Sequence, residues 1–249
     1  MSPEYLETRR KRMLAFHKIQ GTEPTVVFLG GFKSEMAGTK ALHLEDWAKR
    51  SGRSFLRFDY SGHGVSSGVF SDGCIGDWAE DAEEILNRTT TGRFILVGSS
   101  MGGWISCLMA KRMPERIAAL VTIAAAPDFT EDGFWSSFSD QQKSEVMDKG
   151  ITFLPSDYGD PYPITRRLIE DGRDHLILRS PFPVDFPVRM LQGDLDQSVT
   201  RETALRLFDH MDGNDIHLSF IKGGDHSLSS PENLKVLENH LETLIAFLE

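Results

Sequence analysis

The stretch Arg93 to Cys107, RFILVGSSMGGWISC, limits the fold more than any other part of the chain. Phe94-Ile95-Leu96-Val97 is a continuous apolar run, which predicts a strand buried on both faces. Gly98-Ser99-Ser100-Met101-Gly102 follows, and an apolar stretch from Trp104 to Met113 then runs until Pro114 stops it. Strand, G-x-S-x-G and helix in that order put a serine on a sharp, strained turn. Residues two places either side of such a serine must lack bulk, and Gly98 and Gly102 stand at those places around Ser100. Ser99 fits poorly, with glycine directly before it and methionine two residues after. Ser100 is therefore the expected nucleophile, and the rest of the chain has to supply a base, an orienter for the base and an oxyanion hole.

The chain has 249 residues, 40% hydrophobic and 26% charged, the composition of an ordinary globular protein. A formal net charge of −10 argues against nucleic acid or an anionic membrane as the main partner. Cys74 and Cys107 share no metal-ligand or redox spacing, and Cys107 reads as a small core residue. No apolar run has transmembrane length, and no signal-peptide core is present near the N-terminus. Arg9-Arg10-Lys11-Arg12 reads as a solvated hairpin turn, and a cytoplasmic protein is expected.

Tyr5–Thr8 and Met13–Ile19 predict an opening antiparallel hairpin around that turn. Thr25–Leu29 and Ser54–Tyr60 predict strands. Between them Ala37–Ser51 reads as a helix, with Leu42, Leu44 and Trp47 available for its inner face. Ile75–Asn87 is amphipathic, with Ile75, Trp78, Ala82 and Ile85 at helical spacing. Ile117–Ala124 is another buried strand. Regular structure returns with a strand at Val188–Gln192, a helix at Glu202–Met211, a strand at Ile216–Ile221 and a helix at Pro231–Leu248. This alternation predicts a mostly parallel, doubly wound α/β sheet of eight strands forming a single domain. Between the sixth and seventh strands, about residues 128–185, the alternation breaks. That segment carries Phe134, Trp135, Phe138, Phe153, Tyr158 and Tyr162 and is expected to be a lid.

In such sheets functional groups gather at the carboxyl ends of parallel strands. Asp194 and Asp196 follow the Val188–Gln192 strand, and His226 follows Ile216–Ile221 in a glycine-flanked loop. The order Ser100, Asp196, His226 is the nucleophile, acid, histidine order of α/β-hydrolases. His226 is expected to take the Ser100 proton, and Asp196 to hold the imidazole. Asp196 is preferred over Asp194 because the extra residues past the strand let it turn inward, and Asp225 is expected to brace the loop. His63 also sits at a strand end, but its glycine turn and chain position favour a structural role. The amides of Met101 and Phe32 are expected to form the oxyanion hole, the first at a helix start and the second after Gly30-Gly31. Lys33, Ser34 and the lid aromatics Phe134, Trp135 and Phe138 are expected to touch substrate.

With those residues in view, the chain resembles α/β-hydrolases over nearly its whole length. More narrowly, Phe28-Leu29-Gly30-Gly31-Phe32, Gly38-Thr39-Lys40-Ala41, Arg57-Phe58-Asp59-Tyr60-Ser61-Gly62, Leu96 through Trp104 and Ser180-Pro181 are similar to one family. This is the mitochondrial palmitoyl-protein thioesterase family that also cleaves mycophenolic acid acyl-glucuronide, the α/β-hydrolase domain-containing protein ten family. The resemblance implies a nucleophile, acid and histidine at Ser100, Asp196 and His226, which favours Asp196 over Asp194. It also implies cleavage of a small-molecule ester or thioester, or of an acylated protein, with no metal or organic cofactor. The chain lacks room for a mitochondrial transit peptide, so a bacterial relative in a different location is expected. Two other readings share this sequence. An aminopeptidase or amidase would use the same triad with Glu131, Asp132 or Asp140 near the substrate amine, and a non-catalytic scaffold would bind without turnover.

Overall fold

Residues 2–155 and 161–249 are described in the computed structural model. Tyr158 lies outside them. The apolar runs become strands of one eight-stranded sheet: β1 (Glu4–Glu7), β2 (Met13–Ile19), β3 (Thr22–Leu29), β4 (Arg53–Phe58), β5 (Phe94–Ser99), β6 (Ile117–Ile123), β10 (Val188–Gly193) and β12 (Ile216–Ile221). Their order is β1-β2-β4-β3-β5-β6-β10-β12. The first two strands join antiparallel, and every pair from β4 onward across the sheet is parallel.

Because side chains alternate across a strand, each central strand feeds two cores. Val26, Phe28, Ile95, Val97, Val121 and Ile123 point into one, where α1 (Thr39–Ser51) and α7 (Pro231–Leu248) pack. Val27, Leu29, Phe94, Leu96 and Leu120 point into the other, against α2 (Ile75–Thr89) and α3 (Met101–Arg112). Helix α6 (Arg201–His210) contacts β10 and β12 and places Leu207 in that second core. Helices on both faces explain why the central strands are apolar without alternation.

Two local expectations are corrected. Leu42 is 42% exposed; α1 begins at Thr39, and its inward stripe is Ala41, Leu44 and Ala48 at i, i+3 and i+7, with Trp47 beside it. The basic turn is also more than solvated. Arg12 pairs with Asp77, Glu80 and Asp81, and Arg10 with Asp77 and Glu80, so the opening hairpin is clamped onto α2.

Between β6 and β10 the chain leaves the sheet and builds its own structure. A π-helical segment (Phe129–Trp135) leads to α4 (Asp140–Ser144) and a second π-helical segment (Glu145–Lys149). The antiparallel pair β7 (Ile151–Leu154) and β8 (Tyr162–Thr165) follows, then α5 (Arg166–Asp174). A two-residue strand, β9 (Phe182–Pro183), pairs with β11 (Met211–Asp212) before the chain re-enters the sheet. The two ends of this insertion are tied at one residue. Asp128, fully buried, accepts the amide hydrogens of Ile177 at 2.8 Å and Leu178 at 2.9 Å. Glu131 then pairs with Arg173, and Asp132 with Arg179 and Arg206.

Candidate active site

Ser100 sits between β5 and α3 with φ 54° and ψ −118°, a strained conformation for a residue with a side chain. The main chain around it leaves no room for alternatives. Its amide donates to the Ile123 carbonyl at 2.9 Å, and its carbonyl accepts from Gly103 and Ala126. A Cβ on Gly98 would lie 2.3 Å from the Gly102 carbonyl oxygen, and one on Gly102 would lie 2.1 Å from that of Leu29. Both glycines are thus required by close backbone approach. Ser99 remains in β5, buried.

Strands β10 and β12 run side by side, with Gly193 opposite Ile221, so the loops after them emerge together. Those loops carry Asp196 and His226. His226 Nδ1 lies 2.9 Å from Asp196 Oδ2, and His226 Nε2 lies 3.1 Å from Ser100 Oγ. An ionised carboxylate only accepts, so Nδ1 carries the proton and Nε2 is left to accept from the serine hydroxyl. Burial alone would raise the Asp196 carboxyl, but hydrogen bonds from His226, the Val199 amide and Gln192 hold it below the ordinary carboxylate range. Asp194 is engaged elsewhere, with Lys222 and the Gly223 amide. Asp225 accepts from the Ser227 hydroxyl and the Leu228 amide, bracing the histidine loop from within.

Two supporting residues escape a strand-end reading of the sequence. Gln192 is buried inside β10 and donates to Asp196 Oδ2 at 2.9 Å and to the Val199 carbonyl at 3.0 Å. Lys40, at the start of α1, donates to the carbonyl of Ser227, next to His226. Burial pushes its ammonium down to about 8, with Asp225 opposing. Lys40 acts across a sequence separation that only the fold closes, whereas Gln192 is close in sequence to Asp196 but reads as one more residue of a buried strand.

The Gly30-Gly31-Phe32 turn lies directly over the serine: a Cβ on Gly31 would be 3.3 Å from Ser100 Cβ. Met101 is the first residue of α3, where an amide has no partner within its own helix. Phe32, Ser100 and His226 border a cavity of about 360 Å³. Its other walls are Ala126, Ser198 and Val199 from the strand-end loops, and Phe129, Gly133, Phe134, Leu154, Pro155 and Tyr162 from the insertion. Phe32 is the hub, edge-on to Phe129 at 5.5 Å, Phe134 at 5.9 Å and Tyr162 at 5.7 Å.

Of the residues expected to touch substrate, Phe134 lines this cavity and four do not. Phe138 is buried and stacks under Phe134. Trp135 packs edge-on to Phe138 at 6.2 Å, with the cations of Arg173 at 4.9 Å and Lys143 at 5.6 Å from its ring. Ser34 borders a smaller cavity of about 110 Å³ with Glu35, Thr39 and Lys40. Lys33 is exposed, its ammonium 5.4 Å from the Tyr162 ring centroid. Helical periodicity separates neighbours such as Phe134 and Trp135 onto different faces, which a count of aromatics does not reveal. Phe153 is 59% exposed, while its neighbour Leu154 lines the cavity.

Among the described residues, no helix is long and apolar enough to cross a membrane. A family model described as the alpha/beta hydrolase fold matches residues 24–161. The human protein named "Palmitoyl-protein thioesterase ABHD10, mitochondrial" is 34% identical over 234 residues, which cover 93% of this chain and 76% of that one. Among solved structures, alpha/beta hydrolase domain-containing protein 10 from mouse matches with a TM-score of 0.93 at 33% identity over 100% of both chains. A protein from Agrobacterium vitis S4 matches with a TM-score of 0.94 at 35% identity over 98% of both. By sequence and by fold, this chain is a hydrolase that belongs to the α/β-hydrolase family, alongside ABHD10.

Proposed function

We propose that the chain is a serine hydrolase that cleaves carboxylic esters or thioesters through an acyl-enzyme. One observation carries this reading: Ser100, His226 and Asp196 form a continuous hydrogen-bonded chain at the floor of an aromatic-walled cavity. In the first half-reaction Ser100 Oγ attacks the acyl carbon and His226 Nε2 takes its proton. The amides of Phe32 and Met101 receive the oxyanion, and the N-terminus of α3 favours its charge. The tetrahedral intermediate then collapses, and His226 returns the proton to the departing alcohol or thiol. In the second half-reaction His226 deprotonates water, which attacks the acyl-serine; the acyl–Oγ bond then breaks, the carboxylic acid leaves, and His226 returns the proton to Ser100 Oγ.

The segment 128–185 is read as a lid on a single domain, because its Phe129, Phe134 and Tyr162 roof the cavity. These rings suit an apolar acyl group, and the relatives named as palmitoyl-protein thioesterases favour a thioester, free or on an acylated protein. An amidase reading needs a carboxylate for the substrate amine, but Glu131 and Asp132 are already paired with arginines, and Asp140, the first residue of α4, does not line the cavity. The cytoplasmic setting expected from the sequence belongs to the same proposal, against relatives named as mitochondrial; fractionation of cells carrying the full chain decides it.

The test pairs oxygen esters and thioesters of increasing acyl length, assayed with wild type and Ser100→Ala. The expected result is turnover by wild type that rises with acyl length, and a loss of at least about 10³-fold in the variant. Turnover unchanged by Ser100→Ala would exclude the mechanism.

A further inference from the structure

We propose that His63 is a positioning residue, which fixes the Phe32 turn over Ser100 by accepting the neighbouring Lys33 amide. The proposal rests on the serine hydrolase reading above, in which the Phe32 amide is an oxyanion donor. His63 Nε2 lies 3.2 Å from the Lys33 nitrogen, and its Nδ1 lies 3.2 Å from the Ser61 carbonyl oxygen. A carbonyl only accepts and an amide nitrogen only donates. The imidazole is therefore a neutral relay with its proton on Nδ1 and an open lone pair on Nε2.

The turn it grips needs such a hold. The Ser34 amide donates to the Gly31 carbonyl at 3.1 Å, closing a β-turn with Phe32 and Lys33 at its centre. Lys33 has φ 56° in that turn, at the second central position, where glycine is the ordinary occupant. The peptide joining Phe32 to Lys33 is the one that rotates between the two common turn types, and a side chain at Lys33 favours the other form. The hydrogen bond to His63 holds that same peptide. Rotation of this peptide changes ψ of Phe32 and φ of Lys33, so the bond to His63 fixes the turn on the C-terminal side of Phe32, and its loss loosens the turn that carries the Phe32 amide over Ser100.

His63 is itself immobilised. It is 3% exposed and meets Tyr60, Phe70 and Trp78 edge-on at 5.5, 5.1 and 5.1 Å. Ser61, its partner, also accepts the Trp78 indole hydrogen and donates twice to Asp81. The same segment grips the loop at two further points: Asp59 Oδ1 accepts the Met36 amide at 2.6 Å, and the Tyr60 hydroxyl donates to the Gly30 carbonyl at 3.5 Å. Burial pushes the His63 imidazole down to about 4, with the Ser61 bond opposing, so Nε2 stays an acceptor at neutral pH.

The test uses His63→Phe, which keeps a ring in the aromatic cluster but removes the acceptor, and His63→Gln, whose amide replaces both hydrogen bonds. His63→Phe is expected to lower kcat by about 10- to 100-fold with KM within about twofold, since a displaced oxyanion donor costs less than a deleted one. Affinity for a trifluoromethyl ketone, which forms an oxyanion on Ser100, is expected to fall by the same factor, while product carboxylate binding holds. His63→Gln is expected to recover most of the loss. Wild-type kcat in His63→Phe would overturn the proposal, and so would equal losses of kcat and product affinity that His63→Gln does not repair. A ¹⁵N spectrum of wild type is a check that needs no variant to fold: Nδ1 should be protonated and Nε2 bare at neutral pH, and a proton on Nε2 would overturn the assignment. Turnover retained by Ser100→Ala would sink the underlying hydrolase reading. An inactive Ser100→Ala beside a fully active His63→Phe would remove the positioning role alone.

Discussion

Replacing Asp196 by asparagine tests the electrostatics of the site with almost no change of shape. Asp196 Oδ1 accepts the amides of Ser198 at 2.8 Å and Val199 at 2.9 Å, and Oδ2 faces two side chains, Gln192 Nε2 and His226 Nδ1, at 2.9 Å each. Asparagine has one oxygen for these two seats. The backbone amides cannot turn away, so the oxygen keeps the Oδ1 seat and the new NH₂ takes Oδ2. There it confronts the Gln192 amide, which is held by its second bond to the Val199 carbonyl. It also forces His226 Nδ1 to accept, which moves the ring proton to Nε2, the atom that should receive the Ser100 proton. The same tautomer error in serine proteases costs about 10⁴-fold in kcat, or about 5.4 kcal/mol in the barrier. The opposite placement leaves two backbone donors without their acceptor, at about 1–3 kcal/mol each. Asp196→Asn is therefore expected to lower kcat on a p-nitrophenyl ester by about 10³–10⁴-fold, with Tm about 2–6 °C lower from the donor left facing Gln192. Asp194→Asn, whose carboxylate serves Lys222 instead, is expected to stay within about threefold of wild type. Asp196→Asn with more than a tenth of wild-type kcat, or the large loss in Asp194→Asn instead, would refute this reasoning.

Gly102→Ala is expected to destabilise the fold by at least about 2 kcal/mol, because its Cβ meets the Leu29 carbonyl, which cannot yield; thermal unfolding should show a Tm at least about 4 °C lower. Asp132 is held below its ordinary range by the Arg179 hydrogen bond and then, against burial, by Arg206. A depressed carboxylate adds stability that is present above its unfolded pKa of 3.8 and lost as pH falls through the lower folded value. Asp132→Asn should therefore melt about 1–3 °C lower at pH 7, with the gap closing toward pH 3. Acyl selectivity should follow the cavity roof: kcat/KM is expected to rise about fourfold per methylene until the space is filled. Phe129→Ala should then depress long-chain turnover more than acetyl turnover, and equal losses on both would show that Phe129 does not meet the acyl chain.

Much of the site was legible because its parts are local. The Ser100 turn declares itself through the spacing of Gly98 and Gly102, although only Gly98 owes its need to a sequence neighbour and Gly102 owes it to Leu29 of β3, and β12 and α7 have the bounds their apolar patterns predict. His226 and Asp196 are legible as a candidate pair because parallel strands deliver their loops to one end of the sheet, a rule of topology needing no distances. What the sequence hid depends on which way a side chain turns. Phe129 lines the cavity while Trp135 packs on Phe138 and two cations, and aromatic content alone does not separate the two. The acidic partners of Arg12 sit more than sixty residues away on α2, so its turn read as solvated. Gln192 reads as one more residue of a buried strand, although the Asp196 carboxylate that its amide meets is close by in sequence.

The most direct measurement is the mass of the protein after reaction with a fluorophosphonate, followed by peptide mapping of the adduct. A serine activated by His226 and Asp196 predicts one adduct, on Ser100, that abolishes ester turnover and does not form in Ser100→Ala. A folded, active sample that carries its adduct on another residue, or forms none while still hydrolysing esters, would contradict Ser100 as the nucleophile.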